Sequence, residues 1–268
     1  MFGIQDPTYA DAVYLQNLLR TACRGAVAGG GAYAFASKGG IRMTLGDKSF
    51  APLLEKGRFS LVIGMDDITN IAALDELEKL SRRYPGRLTV RAYIHGDDGS
   101  TFHPKFSWFK KADGSGVLVL GSGNLTQAGM NLNREAYSVV TCGAERIDEV
   151  IAEWRRWYAH SAPFLFDTDD AVVRIKARWN EEKLRVTTAA KLDFEEEAAN
   201  RPDIARLKEV YKNQPKSPLI KARPRPAAPK GEDRAFARGQ KASSRRTALR
   251  AKVKKRVLRL TARRYRRK

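Results

Sequence analysis

The sequence predicts an α/β fold, a mixed β-sheet flanked by helices, and three observations point to it. Short apolar runs bounded by turn residues recur at 61–66, 88–95, 117–120 and 136–141, as buried strands do. Between and after them, 70–83 and 145–160 carry apolar residues at helical spacing; Ile147, Val150, Ile151, Trp154 and Trp157 form a stripe that reads as core. The 268 residues suffice for one α/β domain of about 170 to 200 residues with a sizeable core, leaving a C-terminal remainder that need not be globular.

In chain order, 9–22 reads as an opening helix. Gly29-Gly30-Gly31 reads as a flexible joint before a strand at 32–36. No helix opening with a Lys-Ser/Thr pair follows those glycines, so they are a turn rather than a nucleotide loop. Asp66 and Asp67 end an apolar strand without a His or Glu partner at metal-ligand spacing, and read as solvated carboxylates. A strand over 88–95 ends at His95, before a Gly-Asp-Asp-Gly turn.

The segment 102–109 alternates in character. Period two places His103, Lys105 and Ser107 on one face of a strand, with Phe102, Pro104, Phe106 and Trp108 on the other. Asp113-Gly114-Ser115-Gly116 is a hairpin signal, so the run 117–120 returns beside the histidine strand. Gly121-Ser122-Gly123-Asn124 then stands where that strand ends. Glycine-flanked Ser and Asn expose side chains and backbone N–H groups to an anion, and 125–130 continues as a helix whose N-terminal dipole favours negative charge. A strand over 136–141 and a helix over 145–160 follow, and 169–210 is mainly helical, a dimer arm or an intersubunit brace. Taken singly, His103 has a plain reading as a hairpin residue, Lys105 as a solvated one, and Asn124 as a helix cap with Gln127 completing a box. Together they supply an imidazole, an ammonium and amide donors, the groups that handle phosphate.

In order and spacing this set resembles the phospholipase D superfamily, whose motif is His-x-Lys, an Asp, then Gly-Ser-x-Asn. In the nuclease branch of that family a Glu follows the Asn by eleven residues, and Glu135 stands eleven after Asn124. The resemblance covers residues 1–166 and implies an α/β/α sandwich. It implies that His103 is the nucleophile forming a phosphohistidine, that Lys105, Asn124 and the Ser122-Gly123 segment bind phosphoryl oxygens, and that Glu135 orients the imidazole. It implies no metal and no other cofactor. The motif's Asp is expected five positions after Lys105, where this chain has Lys110; Asp113 comes three later, in the hairpin insertion 110–116. Members of the family use two histidines, and neither His95 nor His160 is followed by a Lys at the motif's spacing. A homodimer, with two copies of His103 meeting across a two-fold axis, satisfies the requirement.

Charge divides the chain. Residues 1–200 hold 25 Lys/Arg against 26 Asp/Glu, and 201–268 hold 25 against 4, so the net +20 belongs to the C-terminal quarter. The expected domains are a catalytic domain over 1–166, a helical extension over 167–213, and a Pro-rich linker with a basic tail over 214–268, in which Leu249, Val253, Val257 and Leu260 form a thin apolar stripe. Such a tail grips nucleic acid by counterion release, and an anionic membrane surface is the lesser alternative. Cys23 and Cys142 are too few for a disulfide scaffold and read as reduced core thiols. No apolar run is long enough to span a membrane, and the N-terminus lacks a signal segment, so an intracellular protein is expected.

Three functions compete. The first is a metal-independent endonuclease acting on DNA, ahead of RNA. The second is a phospholipid-processing phosphodiesterase, which calls for an apolar acyl channel that no exposed segment announces. The third is a non-catalytic nucleic-acid-binding protein that has kept the fold, a reading the absent motif Asp supports.

Overall fold

A strand or helix with one apolar face must bury it against another element, so strands alternating with amphipathic helices stack in layers. The computed structural model describes residues 1–96 and 99–198, with side chains through 188, and the single position Lys212. The linker and basic tail expected over 214–268, and the end of the helical extension, lie outside the described residues. In chain order the elements are β1 (Phe2–Gln5), α1 (Leu15–Ala22), β2 (Ala26–Tyr33), α2 (Lys38–Met43), α3 (Ala51–Lys56), β3 (Arg58–Gly64), α4 (Ile71–Arg83) and β4 (Leu88–Tyr93). There follow β5 (Lys105–Lys111), β6 (Gly116–Gly121), a π-helix (Ala128–Leu132), β7 (Glu135–Cys142), α5 (Ala144–His160), β8 (Leu165–Asp167) and α6 (Ala171–Ala198).

The eight strands form one sheet in the order β1-β7-β6-β5-β2-β3-β4-β8. β2, β3 and β4 run parallel, and every other pairing is antiparallel. The sheet is therefore mixed and flanked by helices, as expected. One face packs against α1, α2, α3, α4 and α6 through residues such as Leu15, Ile41, Leu54, Leu74 and Val173. The opposite face is covered by α5 through Ile147, Ile151 and Trp154.

The triple glycine is not a joint but the middle of β2, at the centre of the sheet. The reason is side-chain volume on the neighbouring strands. A Cβ at Gly30 would lie 2.7 Å from Trp108 Nε1, one at Gly29 would lie 2.8 Å from the Phe59 ring, and one at Gly31 would lie 2.6 Å from Ser107 Oγ. The space over Gly31 lets Tyr33 lie back along the strand, where its hydroxyl shares a 2.9 Å hydrogen bond with Ser107. Burial pushes the Tyr33 phenol up to about 12.

Other boundaries differ from the sequence expectation for local reasons. The opening helix begins at Leu15 rather than Tyr9, because Thr8 N–H and Oγ1 donate to Asp6 in a turn and the Gln5 side chain accepts from Leu15 N–H at 2.9 Å. The helix expected over 70–83 is α4, with Asn70 as its cap, accepting from Ala73 N–H at 3.1 Å. The helix expected over 125–130 is displaced into the π-helix, since Leu125 is held extended by a parallel bridge to Ala36. Packing of the body continues across the expected boundary at 166: β8 pairs with β4, Val173 and Ala177 of α6 are fully buried, and Asn180 donates to Met65 O and Thr69 O, both at 2.9 Å. Cys23 and Cys142 are free thiols, both buried.

A methyl group at Gly30 must displace the Trp108 indole, so Gly30→Ala is expected to destabilise the fold by about 1–3 kcal/mol, measured by urea denaturation, while Gly25→Ala, at a turn with open space but φ of 68°, acts only through backbone strain.

Candidate active site

Register brings the sequence candidates to one end of the sheet. Tyr33 pairs with Lys105, Phe106 with Leu120, and Gly121 with Tyr137, so the end of β2, the start of β5, the end of β6 and the start of β7 lie side by side. His103 stands two residues before β5, whose ladder is prolonged by Ala34 N–H donating to Pro104 O at 2.8 Å. The regular strand thus starts at Lys105 rather than at 102, but His103 and Lys105 still share a side. Lys105 Nζ donates to His103 Nδ1 at 3.0 Å and to His103 O at 3.1 Å. Phe35 sets its ring edge-on to the imidazole, 6.2 Å between centroids.

Burial holds the Lys105 ammonium below the ordinary lysine range, against the opposing pull of the Glu135 carboxylate. Glu135 itself is engaged from two sides: Ser122 Oγ donates to Oε2, and Asn133 Nδ2 donates to Oε1 at 3.1 Å. Ser122 also accepts from Ala136 N–H at 3.0 Å, which pins the Gly121-Ser122-Gly123 turn to β7. Among the described residues, the imidazole of His103 has Lys105 and no carboxylate as its hydrogen-bond partner.

Gly123 is buried where any Cβ would strike Leu15, at 2.3 Å. Asn124 does not cap the following turn. Thr126 does that, accepting from Gly129 N–H at 3.0 Å, and the Asn124 Oδ1 is buried with no hydrogen-bond partner among the described residues. A buried amide left without a partner is costly, and a half-turn of that amide would present its N–H groups at the same place. Ser37 braces the loop from the other side, its Oγ accepting from Gly40 and Gln127 N–H, both at 3.2 Å.

Two residues stay apart from the site. Lys110, in the position of the motif's Asp, sits at the far end of β5 and pairs with Asp148 of α5 at 2.5 Å. Asp113 stays in the hairpin, accepting from Ser115 N–H and Oγ. Neither supplies the expected carboxylate. His160 closes α5 and is exposed.

Sequence reasoning missed two features. Asp66 is not a solvated strand end: its Oδ2 accepts from Phe102 N–H at 2.8 Å and lies 3.3 Å from His95 Nε2, so one carboxylate ties the ends of β3 and β4 to the residue before His103. A cavity of about 820 Å³ also opens beside His103 on the α5 face, walled by Tyr93, Phe102, Phe106, Trp154 and Trp157. The helical stripe of α5 is core only in part: Ile147, Ile151 and Trp154 are buried, but Val150, Trp154 and Trp157 also line this cavity. No local sequence signal separates the two roles. Among the described residues, no group of three or more His, Cys, Asp and Glu side chains could hold a metal ion, and no helix is long and apolar enough to cross a membrane.

No family model matches the sequence, and no curated protein matches it either. Among solved structures, the chain is similar to Nuc, a phospholipase D family member from Salmonella typhimurium, at 13% identity over 62% of this chain and 95% of that one, with a TM-score of 0.44. NucT from Helicobacter pylori matches at 16% identity over 62% of this chain and 97% of that one, TM-score 0.43. The yeast tyrosyl-DNA phosphodiesterase matches at 13% identity over 53% of this chain and 32% of that one, TM-score 0.37.

Removing the Asp66 carboxylate orphans the Phe102 amide, so Asp66→Ala is expected to lower stability by about 1–3 kcal/mol and to speed hydrogen exchange at Phe102, read by denaturation and by amide exchange.

Proposed function

We propose that the chain is a metal-independent phosphodiesterase, an endonuclease that cleaves DNA through a phosphohistidine intermediate at a homodimer interface. The observation that carries this reading is the His103–Lys105 pair, set at one end of the sheet with Asn124 and the Ser122–Glu135 couple. An imidazole beside an ammonium at a cluster of amide and hydroxyl groups suits attack on phosphorus with the equatorial oxygens neutralised.

In the first step His103 Nε2 attacks phosphorus, the P–O bond to the leaving strand breaks, and the departing alkoxide takes a proton from a second imidazole. In the second step water attacks the phosphohistidine, gives its proton to that second imidazole, and frees His103. Attack by Nε2 needs the ring proton on Nδ1 and an acceptor there. In the protomer Nδ1 instead receives a hydrogen bond from Lys105, and Glu135 is held by Ser122 and Asn133. Substrate phosphate would draw Lys105 away from the ring and free Nδ1 for a carboxylate, the role the resemblance gives to Glu135, and a second copy would bring the missing imidazole.

A surface suited to that second copy lies on the sheet. Phe2, Ile4, Leu120 and Val140 are exposed large apolar residues, between 40% and 70% accessible. Phe2 pairs with Ser138, which pairs with Leu120, and Val140 pairs with Leu118, so all four side chains stand on the face that α5 only partly covers. An apolar patch of this kind commonly marks an interface. DNA is favoured as substrate by the excess of positive charge beyond residue 200. One observation favours a second reading: the cavity beside His103 is largely apolar, as a phospholipid-processing enzyme would require.

The test is cleavage of plasmid and single-stranded DNA in excess EDTA. Wild type is expected to cut, and His103→Ala to fall to background; cutting abolished by EDTA, or surviving the substitution, removes the reading. Because burial lowers the Lys105 pKa, its charge is lost as pH rises through a value below the ordinary lysine range, so activity should decline on the alkaline side earlier than an unperturbed lysine would allow. Lys105→Arg should move that limb upward in a pH–rate profile. Val140→Asp should convert a dimer to a folded, inactive monomer, followed by sedimentation, circular dichroism and cleavage assay.

A further inference from the structure

We infer that the aromatic cavity beside His103 is a base-binding subsite, which takes an unstacked nucleobase of the strand being cut and so favours single-stranded or locally opened substrate. This inference rests on the phosphodiesterase reading above and adds to it the part of the substrate that is recognised.

The cavity of about 820 Å³ includes His103 in its wall but not Lys105, Ser122, Asn124 or Glu135, so a phosphate engaged by that imidazole would be held at the cavity's edge, and the base, one glycosidic bond beyond its sugar, would reach inward. The walls are suited to a flat ring. Tyr93 and Phe102 stack with centroids 4.3 Å apart and planes 14° apart, and Trp157 lies within 20° of parallel to both. Trp154 joins Trp157 at 5.3 Å, turning the array toward Phe106. A planar base inserted along this common orientation presents its π-face to an aromatic platform, an interaction that tolerates any base.

The rim argues for a base over an acyl chain. Arg146 and Glu149 form one ion pair there, and Arg156 and Glu153 form another. Guanidinium and carboxylate groups can donate to and accept from base edges, whereas a hydrocarbon chain would only desolvate them. The paired charges leave the rim near neutral, so backbone attraction must come from elsewhere, and the chain's net charge of +20 supplies it. Duplex DNA keeps its bases stacked inside the helix, so filling the cavity requires a strand already single or opened at that step.

The experiment uses the full chain on a single-stranded oligonucleotide and on a series in which one nucleotide at a time is replaced by an abasic analogue, all in EDTA. Wild type should cut the intact strand and cut the bond adjoining the abasic position roughly tenfold more slowly, the scale of one base–aromatic stack. Trp157→Ala should slow the intact strand by a similar factor and lose little more on the abasic one; Trp157→Phe, which keeps a stacking ring, should recover most of the rate. Equal cutting of intact and abasic strands by wild type overturns the subsite and leaves the nuclease reading standing. A Trp157→Ala loss that is the same on both substrates also overturns it, since the residue then serves the fold. If Trp157→Ala instead abolishes hydrolysis of phosphatidylglycerol vesicles and spares DNA, the cavity holds an acyl chain and the inference fails. No EDTA-resistant cutting of the intact strand by wild type removes the nuclease reading, and the subsite with it.

Discussion

Three glycines at the centre of the sheet set the geometry on which everything else depends. Strand β2 carries no side chain from Gly29 to Gly31, and the bulk that a central strand would normally supply comes from its neighbours: Phe59 from β3, Trp108 and Ser107 from β5. Side chains from adjacent strands thereby fill the space above and below β2, at the close packing of a protein interior. The consequence is positional. With β2 clamped between β3 and β5, the pairing of Tyr33 with Lys105 is fixed, and a one-residue slip would turn Lys105 and His103 to the other face.

Above that frame the candidate site is assembled from short polar ties rather than from regular structure. Asp66 holds the Phe102 amide, Ser122 joins Glu135 and the Ala136 amide, Ser37 joins the Gly40 and Gln127 amides, and a parallel bridge holds Leu125 to Ala36. Each tie satisfies a backbone donor that would otherwise be stranded at a strand end or at the start of a helix, and together they fix the loops that carry the candidate side chains. This is the usual division of labour between a rigid sheet and the loops at its rim. The motif's missing carboxylate fits the same scheme. Lys110 pairs with Asp148 and fastens β5 to α5, at the end of the sheet away from His103, while Glu135 is held by Ser122 and Asn133.

The two faces of the sheet are unequally covered. Five helices cover one face, while α5 alone covers part of the other. What α5 leaves open divides into an aromatic cavity reaching His103 and an apolar patch over β1, β7 and β6. The cavity reaches His103, and the patch begins at Leu120, beside the end of β6, and runs away from it to Val140 of β7.

Much of this was legible in the chain. The period-two pattern around His103, the hairpin at Gly114, the apolar run of β6 and the spacing from Asn124 to Glu135 place the candidate residues on neighbouring strand ends, because strand periodicity and a short hairpin leave little freedom. The helices α4 and α5 were equally plain from their apolar stripes. What the sequence could not disclose depends on partners distant along the chain. A glycine triplet looks like a joint until Trp108 and Phe59 are laid over it, Asp66 looks solvated until Phe102 returns to it, and Leu125 looks helical until Ala36 bridges it. The stripe of α5 gave no sign that Val150, Trp154 and Trp157 face a cavity, since a buried ring and a cavity-lining ring have the same periodicity. Local pattern determined which residues could form the site, by fixing which face each side chain takes. Only the tertiary structure decided what those side chains touch, because contact requires two segments, and periodicity describes one.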